Sequence, residues 1–282
     1  MTAKAATIRR PAVAGMFYPA SPEELERDVR AMLSASPKVA EADSIIGIIA
    51  PHAGYMYSGG TAARAYAQLA GSRRKVVVVV SPSHRDYFDG VSVFPGDAYA
   101  TPLGIVPVDT ELRARLVKES LILMSTAGHG EEHALEVQLP FLQCTLGEFS
   151  LLPLVIGNQS RQECFALGKI LGMVLKESSA LLVASTDLSH FHTAAAATRL
   201  DSIVARDLSA FDAEQLMDDL ESGRAEACGG GPAVAVMVAC HRLGARTLRV
   251  VHRAHSGEIT GDNSGVVGYL SAIIQLPGIA PA

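Results

Sequence analysis

The sequence lacks several features that would assign it to a specialised class of protein. It has 24 Lys and Arg against 29 Asp and Glu, a formal net charge of −5, so no basic surplus exists to neutralise a nucleic-acid backbone. No apolar run approaches the roughly 20 residues that span a bilayer. Pro11, Gly15 and Pro19 interrupt the mildly apolar stretch after Arg9-Arg10, so no signal peptide is recognisable. We therefore expect a cytoplasmic protein that binds neither nucleic acid nor a membrane.

Cysteine pairs and common catalytic motifs are also missing. The four cysteines (Cys144, Cys164, Cys228, Cys240) form no CxxC, and a chain of 282 residues can bury a core without disulfides. The sequence has no GxSxG, no GxxxxGK[ST] and no GxGxxG after a strand, which leaves serine-hydrolase, NTPase and dinucleotide-binding functions without a signature. Because repeats and Pro-, Gly- or Ser-rich linkers are absent too, we expect one domain over residues 1–282.

Short branched-aliphatic runs are the strongest local pattern. They do not alternate with polar residues and are too short for buried helices, which is typical of strands buried on both faces of a parallel sheet. The runs cover residues 44–50, 76–80, 151–156, 181–184 and 248–251, and a last strand is expected over 266–274.

Helical patterns separate these runs. Ser21-Pro22-Glu23-Glu24 is a capping box with proline at the first helical position. Further helices are expected over about 59–69, 109–119, 132–146, 161–176, 194–208 and 232–243. The alternation predicts an α/β layered domain with a mixed, largely parallel central sheet flanked by helices. The proline-rich stretch 91–108 predicts short strands and turns, as in an antiparallel edge hairpin.

Histidine follows three of the aliphatic runs. These runs continue into Pro51-His52-Ala53-Gly54, Ser81-Pro82-Ser83-His84 and Ser185-Thr186-Asp187-Leu188-Ser189-His190. Ligands of open α/β sheets collect beyond the carboxyl ends of strands, where these histidines lie. One histidine there is usually a surface or structural residue, but three at equivalent positions favour a shared site.

Cys228 is a fourth candidate for that site. It precedes three glycines, which let the backbone approach a centre closely, and Pro232, which suits the first turn of a helix. Because a helix N-terminus favours negative charge, we expect a lowered pKa and a reactive Cys228 thiol, unless Cys228 is only a turn residue. Cys164 and Cys240 fall in apolar helical patterns and are expected to be buried hydrophobic residues.

Two imidazoles and a thiolate form a mixed nitrogen and sulfur donor set, which suits Fe, Cu or Zn better than Mg or Ca. Three protein ligands leave a coordination position open, as catalytic centres do. Ligands dispersed over positions 52, 84 and 228 are also unlike a structural zinc site.

Asp187 and His190 are the expected neighbours of the centre. A carboxylate can orient an imidazole or act as a ligand, and a histidine beside a metal is a candidate acid/base; capping of the next helix is the alternative role. His133 and Glu136 share a face of a predicted helix, so His133 either pairs on the surface or belongs to the site. The polar loop 256–265 forms either a rim of the site or an ordinary turn.

Seven strings in the same order resemble the Memo-like family, including its bacterial members of the AmmeMemoRadiSam system protein B type. They are RRPAVAGMFYP (9–19), IIAPHAGYMYSGG (48–60), SPSH (81–84), EHALEVQLPFL (132–142), STDLSHF (185–191), CGGGP (228–232) and GDNSGVVGYL (261–270). The resemblance implies a fold like that of class III extradiol dioxygenases, with a metal site where those enzymes hold non-haem iron.

Carried over residue by residue, the resemblance implies that His52, His84 and Cys228 are metal ligands, with Asp187 and His190 beside them. Cys228 stands where the dioxygenases have a carboxylate, and a thiolate changes both the potential and the open faces of a metal. Bacterial members of the family imply a functional link to a radical-SAM protein. Metazoan members imply cell motility and phosphopeptide binding.

Three functions follow from these observations. The first is a redox or oxygenase-like protein that holds iron or copper, in which His190 transfers protons and Asp187 orients it. The second is a non-enzymatic module that binds a small molecule or peptide in a dioxygenase-like cleft. The third is a zinc-dependent hydrolase. The substrate is unknown in each case.

Overall fold

Twelve strands in two sheets organise the protein, in a computed structural model that describes residues 6–277. The strands are β1 (Ile8–Arg9), β2 (Ile45–Ala50), β3 (Val76–Pro82), β4 (Val91–Val93), β5 (Ala98–Thr101), β6 (Gly104–Pro107), β7 (Ile122–Met124), β8 (Ser150–Ile156), β9 (Leu181–Ser185), β10 (His190–His192), β11 (Thr247–His255) and β12 (Val266–Gln275). Apart from Ser44, which ends a 3-10 turn, the five aliphatic runs and the expected last strand lie in strands of the larger sheet.

Nine α-helices are present among residues 6–277. They are α1 (Pro22–Ser34), α2 (Gly60–Tyr66), α3 (Thr110–Leu116), α4 (Leu139–Leu146), α5 (Arg161–Val174), α6 (Ala194–Ala210), α7 (Ala213–Glu221), α8 (Gly230–Arg242) and α9 (Gly257–Thr260). No helix in this part of the chain combines the length and apolarity needed to cross a bilayer.

The larger sheet is mixed, as expected. Its strand order is β10-β12-β2-β9-β3-β8-β4-β7, and β11 also pairs with β12. The central strands β2, β9, β3 and β8 run parallel, whereas β12 is antiparallel to β2 and β4 is antiparallel to β8. The parallel centre therefore lies between antiparallel flanks.

Both faces of the central strands are covered, which explains their uninterrupted aliphatic sequences. On β3, Val78 and Val80 pack into the core that includes α5 and α8, while Val77 and Val79 pack into the core that includes α1, α2 and α4. Since successive side chains point to opposite faces, every position of such a strand must be apolar. The expected α/β architecture is confirmed.

The stretch 91–108 differs from the expected edge hairpin. β4 joins the main sheet, whereas β5 and β6 form an antiparallel hairpin in a separate sheet with β1. Gly96 allows the chain to pass from the main sheet to the separate sheet, because a Cβ there would lie 2.7 Å from the backbone oxygen of Thr7. The chain thus leaves the main sheet at a point that only glycine can occupy.

The expected helix over 132–146 is shorter than its pattern. A 3-10 turn covers Glu136–Gln138, and α4 begins at Leu139, with Pro140 in its first turn. Proline is favoured there because the amide N–H it lacks would have no partner within the helix. His133 therefore precedes the helix and does not share a helical face with Glu136.

A buried ion pair between Arg9 and Glu136 joins the N-terminal segment to the turn before α4. The Glu136 carboxylate also accepts hydrogen bonds from the backbone N–H groups of Ala12 and Val13 and from the Tyr18 hydroxyl. Arg9 donates to the carbonyl oxygens of His129, Gly130 and Glu132. Both charges are therefore fully compensated, as burial requires.

Replacement of Glu136 by alanine should be strongly destabilising, because it leaves the buried Arg9 guanidinium without its counter-charge. We expect Glu136→Ala to lower the free energy of unfolding by about 3–5 kcal/mol in urea denaturation. Glu214→Ala, which removes one partner of the exposed Arg161, is the control and should cost less than about 1 kcal/mol. Equal losses in the two variants would contradict the role assigned to the pair.

Candidate metal centre

Three parallel strands deliver the candidate residues to one edge of the main sheet. His52 lies two residues beyond the end of β2, His84 two beyond β3 and Asp187 two beyond β9. Since β9 pairs in parallel with both β2 and β3, these positions converge. One potential ligand atom from each of His52, His84 and Cys228 lies within 4.8 Å of the other two, a grouping that could hold a metal ion.

His52 is buried, and its imidazole is fixed by Ser185 at the end of β9. Nδ1 of His52 lies 3.0 Å from Ser185 Oγ, which donates its hydrogen to the Ala134 carbonyl oxygen and accepts one from Gln138 Nε2. The hydroxyl can therefore only accept from His52, which places the imidazole proton on Nδ1. Nε2 keeps its lone pair and lies 3.1 Å from the Cys228 sulfur.

His84 is partly exposed, and the buried carboxylate of Glu132 orients it. Glu132 Oε1 lies 3.0 Å from His84 Nδ1, and Oε2 accepts the His84 backbone N–H. Burial alone would raise the pKa of Glu132, but hydrogen bonds from His84 and the Ala134 backbone lower it to about 2. The ionised carboxylate holds the proton on Nδ1 and leaves His84 Nε2 free, as in many metal-binding histidines.

Cys228 reaches the centre because glycine follows it. A Cβ at Gly229 would lie 2.1 Å from the carbonyl oxygen of Ser185, so no other residue allows this approach. The Gly229 N–H donates to Thr186 Oγ1, and the Cys228 N–H donates to the Asp187 carbonyl oxygen. The start of α8 is thereby joined to the end of β9.

The expected lowering of the Cys228 pKa is wrong for the metal-free protein. Burial raises the pKa of the thiol, and the nearby Asp187 carboxylate adds to the effect. Cys228 precedes the N-cap residue Gly229, and the backbone hydrogen bonds it receives there do not offset the loss of water. With His52 also neutral, since burial lowers its pKa, a protonated Cys228 thiol faces an unprotonated Nε2.

His133 belongs to the site, one of the two roles left open by the sequence. Its ring centroid lies 5.0 Å from that of His84 and 5.4 Å from that of His52. Burial is the main cause that lowers the pKa of His133 to about 4, against the opposing effect of Glu132. His133 is therefore a neutral imidazole beside the centre.

His84, Glu132 and His133 form a second group that could hold a metal ion. Glu132 Oε1 already accepts from the backbone N–H groups of His133 and Ala134 as well as from His84 Nδ1. A cation at that oxygen would have to displace these donors. The group is better explained as the hydrogen-bond support of His84.

Asp187 and His190 lie beside the centre but do not act on each other as expected. Asp187 Oδ1 accepts the His52 backbone N–H at 2.8 Å, whereas His190 Nδ1 donates to the Leu188 carbonyl oxygen at 2.8 Å. The Leu188 carbonyl, and not Asp187, thus orients the His190 imidazole. Burial raises the pKa of Asp187 to about 7 and lowers the pKa of His190.

A cleft of about 530 Å³ opens next to Asp187 and His190. Asp187, His133 and His190 contribute to its lining, and Ser256 and Asp262 come from the polar loop 256–265. The loop therefore borders the site, the first of its two expected roles.

Ser185, Gln138 and Glu132 support the centre and were not singled out in the sequence. All three fall within the family-like strings, Ser185 in 185–191 and the other two in 132–142. Their position in those strings was the available signal, but no spacing rule assigned them to a histidine.

Comparisons with known proteins agree with these observations. The family model described as Memo-like protein matches residues 9–273. A MEMO1 family protein of Aquifex aeolicus is 39% identical over 267 residues, covering 94% of this chain and 98% of its own. A MEMO1 family protein of Methanosarcina mazei is 36% identical over 271 residues, covering 95% and 99%.

A solved structure shares the fold. An uncharacterized protein from Escherichia coli K12 aligns with a TM-score of 0.53 and 17% identity, covering 82% of this chain and 99% of that one. At this identity the similarity concerns the fold alone.

The raised pKa of Cys228 predicts slow alkylation of the metal-free protein near neutral pH, because only the thiolate reacts. The rate with iodoacetamide, followed by mass spectrometry, should increase about tenfold per pH unit below the pKa. The same cysteine in urea-unfolded protein is the reference and should react faster at pH near 7. Faster reaction of Cys228 in the folded state would show instead that the thiolate is stabilised.

Proposed function

The chain belongs to the Memo-like family, and from that premise we propose a metal-dependent redox protein whose iron or copper ion is held by His52, His84 and Cys228. The observation that carries the proposal is the tautomer of the two histidines. Ser185 and Glu132 hold a proton on Nδ1 of each imidazole, so both Nε2 lone pairs are available near the Cys228 sulfur.

The residues fit such an ion. Two imidazole nitrogens and a thiolate suit Fe, Cu or Zn, and thiolate is not a ligand that Mg or Ca prefers. Binding requires loss of the Cys228 proton, which His52 Nε2 cannot retain while it serves as a ligand, so the proton leaves to solvent. When bound, iron or copper would supply electron transfer and an open coordination position.

His190 is the proposed proton-transfer group. Its Nδ1 hydrogen is donated to Leu188, so the unprotonated Nε2 is the atom that would accept a proton from a substrate. The lowered pKa keeps His190 neutral near pH 7, in the form that acts as a base. The carboxyl group of Asp187, with a pKa of about 7, can hold or release a proton in the same cleft.

A non-enzymatic binding module remains the second candidate, favoured by the cleft of about 530 Å³. A cleft of this size suits a small organic molecule whether or not a reaction follows. Metal content separates the candidates: iron or copper supports redox chemistry, zinc supports hydrolysis, and a protein without metal supports the binding module.

Metal content across variants tests the ligand assignment. Elemental analysis of protein purified without chelator should show loss of metal in His52→Ala and Cys228→Ala, because the remaining groups cannot complete the centre. His190→Ala should keep most of its metal, since His190 is placed as an acid/base and not a ligand. His241→Ala, an exposed histidine at the end of α8, is the control. Equal metal loss in His190→Ala and His52→Ala would make His190 a ligand.

A second prediction concerns metal affinity and the two residues that orient the ligand histidines, Glu132 and Ser185. Glu132→Gln and Ser185→Ala leave the three donors in place but weaken the hold on one imidazole proton. We expect each to lower metal affinity by roughly 10- to 100-fold, measured by competition with a chelator. Unchanged affinity in both variants would contradict the tautomer argument, provided that circular dichroism shows an intact fold.

A further inference from the structure

The cleft lined by Asp187, His133 and His190, beside the candidate ligands, has an aromatic and methionine-rich lining. Its aromatic side chains are Phe17, Tyr57, Phe191 and Tyr269, and its methionines are Met16 and Met56. Met16 and Met56 are largely exposed although apolar. Aromatic ring faces attract cations, and thioethers contact aromatic rings favourably. The lining therefore suits a flat or cationic ligand.

The charge of the cleft is of one sign. Among the described residues that line it, none is Lys or Arg, whereas Asp262 of the polar loop is an exposed carboxylate. Asp262 Oδ1 accepts hydrogen bonds from the backbone N–H and hydroxyl of Ser264, which fix the carboxylate. A phosphate or carboxylate ligand would meet this charge without a cationic partner.

Phe191 is presented to this cleft by an unusual backbone. Its φ is +62°, a conformation that costs free energy for a residue with a side chain, and the residue is 80% exposed. It lies at an irregularity in the pairing of β10 with β12, and its ring centroid is 5.7 Å from that of His190. An apolar ring held exposed beside the proposed proton-transfer group has no packing role.

The loop that carries Asp262 is attached to the segment that carries Phe191. The carbonyl oxygen of Asn263 accepts the Ala194 backbone N–H at 2.9 Å, three residues after Phe191. The carboxylate and the exposed ring therefore belong to one wall of the cleft.

We propose that this cleft binds a small organic cation, a protonated amine attached to an aromatic body. The ammonium group contacts Asp262 and the face of Phe191, and the aromatic body extends towards His190 and Asp187. This inference rests on the proposed function in one respect, because it makes His190, the proposed proton-transfer group, the reacting end of the cleft.

Matched probes that differ in the charged group test the proposal. Tyramine and 4-hydroxyphenylacetate share a phenol ring, and tryptamine and indole-3-acetate share an indole ring, but one of each pair is a cation and the other an anion. Isothermal titration calorimetry with metal-free and metal-loaded protein should show each amine binding about 3- to 30-fold more tightly than its acid.

Two variants test whether Asp262 and Phe191 cause the preference for amines. Asp262→Asn should reduce the preference for the amines, and Phe191→Leu should weaken amine binding while it keeps an apolar side chain. Asp43→Asn, an exposed carboxylate before β2 at the opposite edge of the sheet, should leave binding unchanged.

Equal or tighter binding of the acids, an unchanged preference in Asp262→Asn, or no binding of either amine at millimolar concentration would overturn the proposal. The elemental analysis of the His52, Cys228 and His190 variants tests the proposed function separately from ligand binding. Retained metal without amine preference would reject only this inference, whereas amine preference in a protein that holds no metal would reject only the metal-dependent function.

Discussion

The parallel pairing of β2, β9 and β3 is the constraint on which the site depends. In this register Gly47 of β2 lies opposite Leu182 of β9, and Val78 of β3 lies opposite the same residue. The three strands therefore end at one level, and the residues that follow them meet. A shift of one residue in any pairing would turn every buried side chain to the other face, so the core that fixes the register also fixes the centre.

Much of the fold and part of the site could be predicted from the sequence. Aliphatic runs predicted the central strands because both faces of these strands are buried, and the chain position after each run identified His52 and His84 as neighbours. Cys228 was found because glycine follows it, and Gly229 does provide the close approach to Ser185.

Features that depend on contacts distant in sequence could not be predicted. The separate sheet of β1, β5 and β6 depends on pairing between residues about ninety positions apart, such as Ile8 and Ala98. The raised pKa of Cys228 depends on burial, which a local helix-terminus argument does not include. The partner of His190 escaped prediction for a different reason: it is the backbone carbonyl of Leu188, only two residues away, and sequence patterns carry no information on backbone acceptors.

The insertion of β12 has a consequence for the order of assembly. The C-terminal strand β12 lies between β2 and β11 in the sheet. In the same way, Cys228 is 176 residues along the chain from its neighbour His52. Contacts of such long sequence separation form slowly in folding, because a large loop must close first. The three donors therefore come together only in the assembled sheet, and no short segment of the chain supplies all of them. Metal affinity is in this sense a property of the whole fold, unlike that of a site built from one local motif.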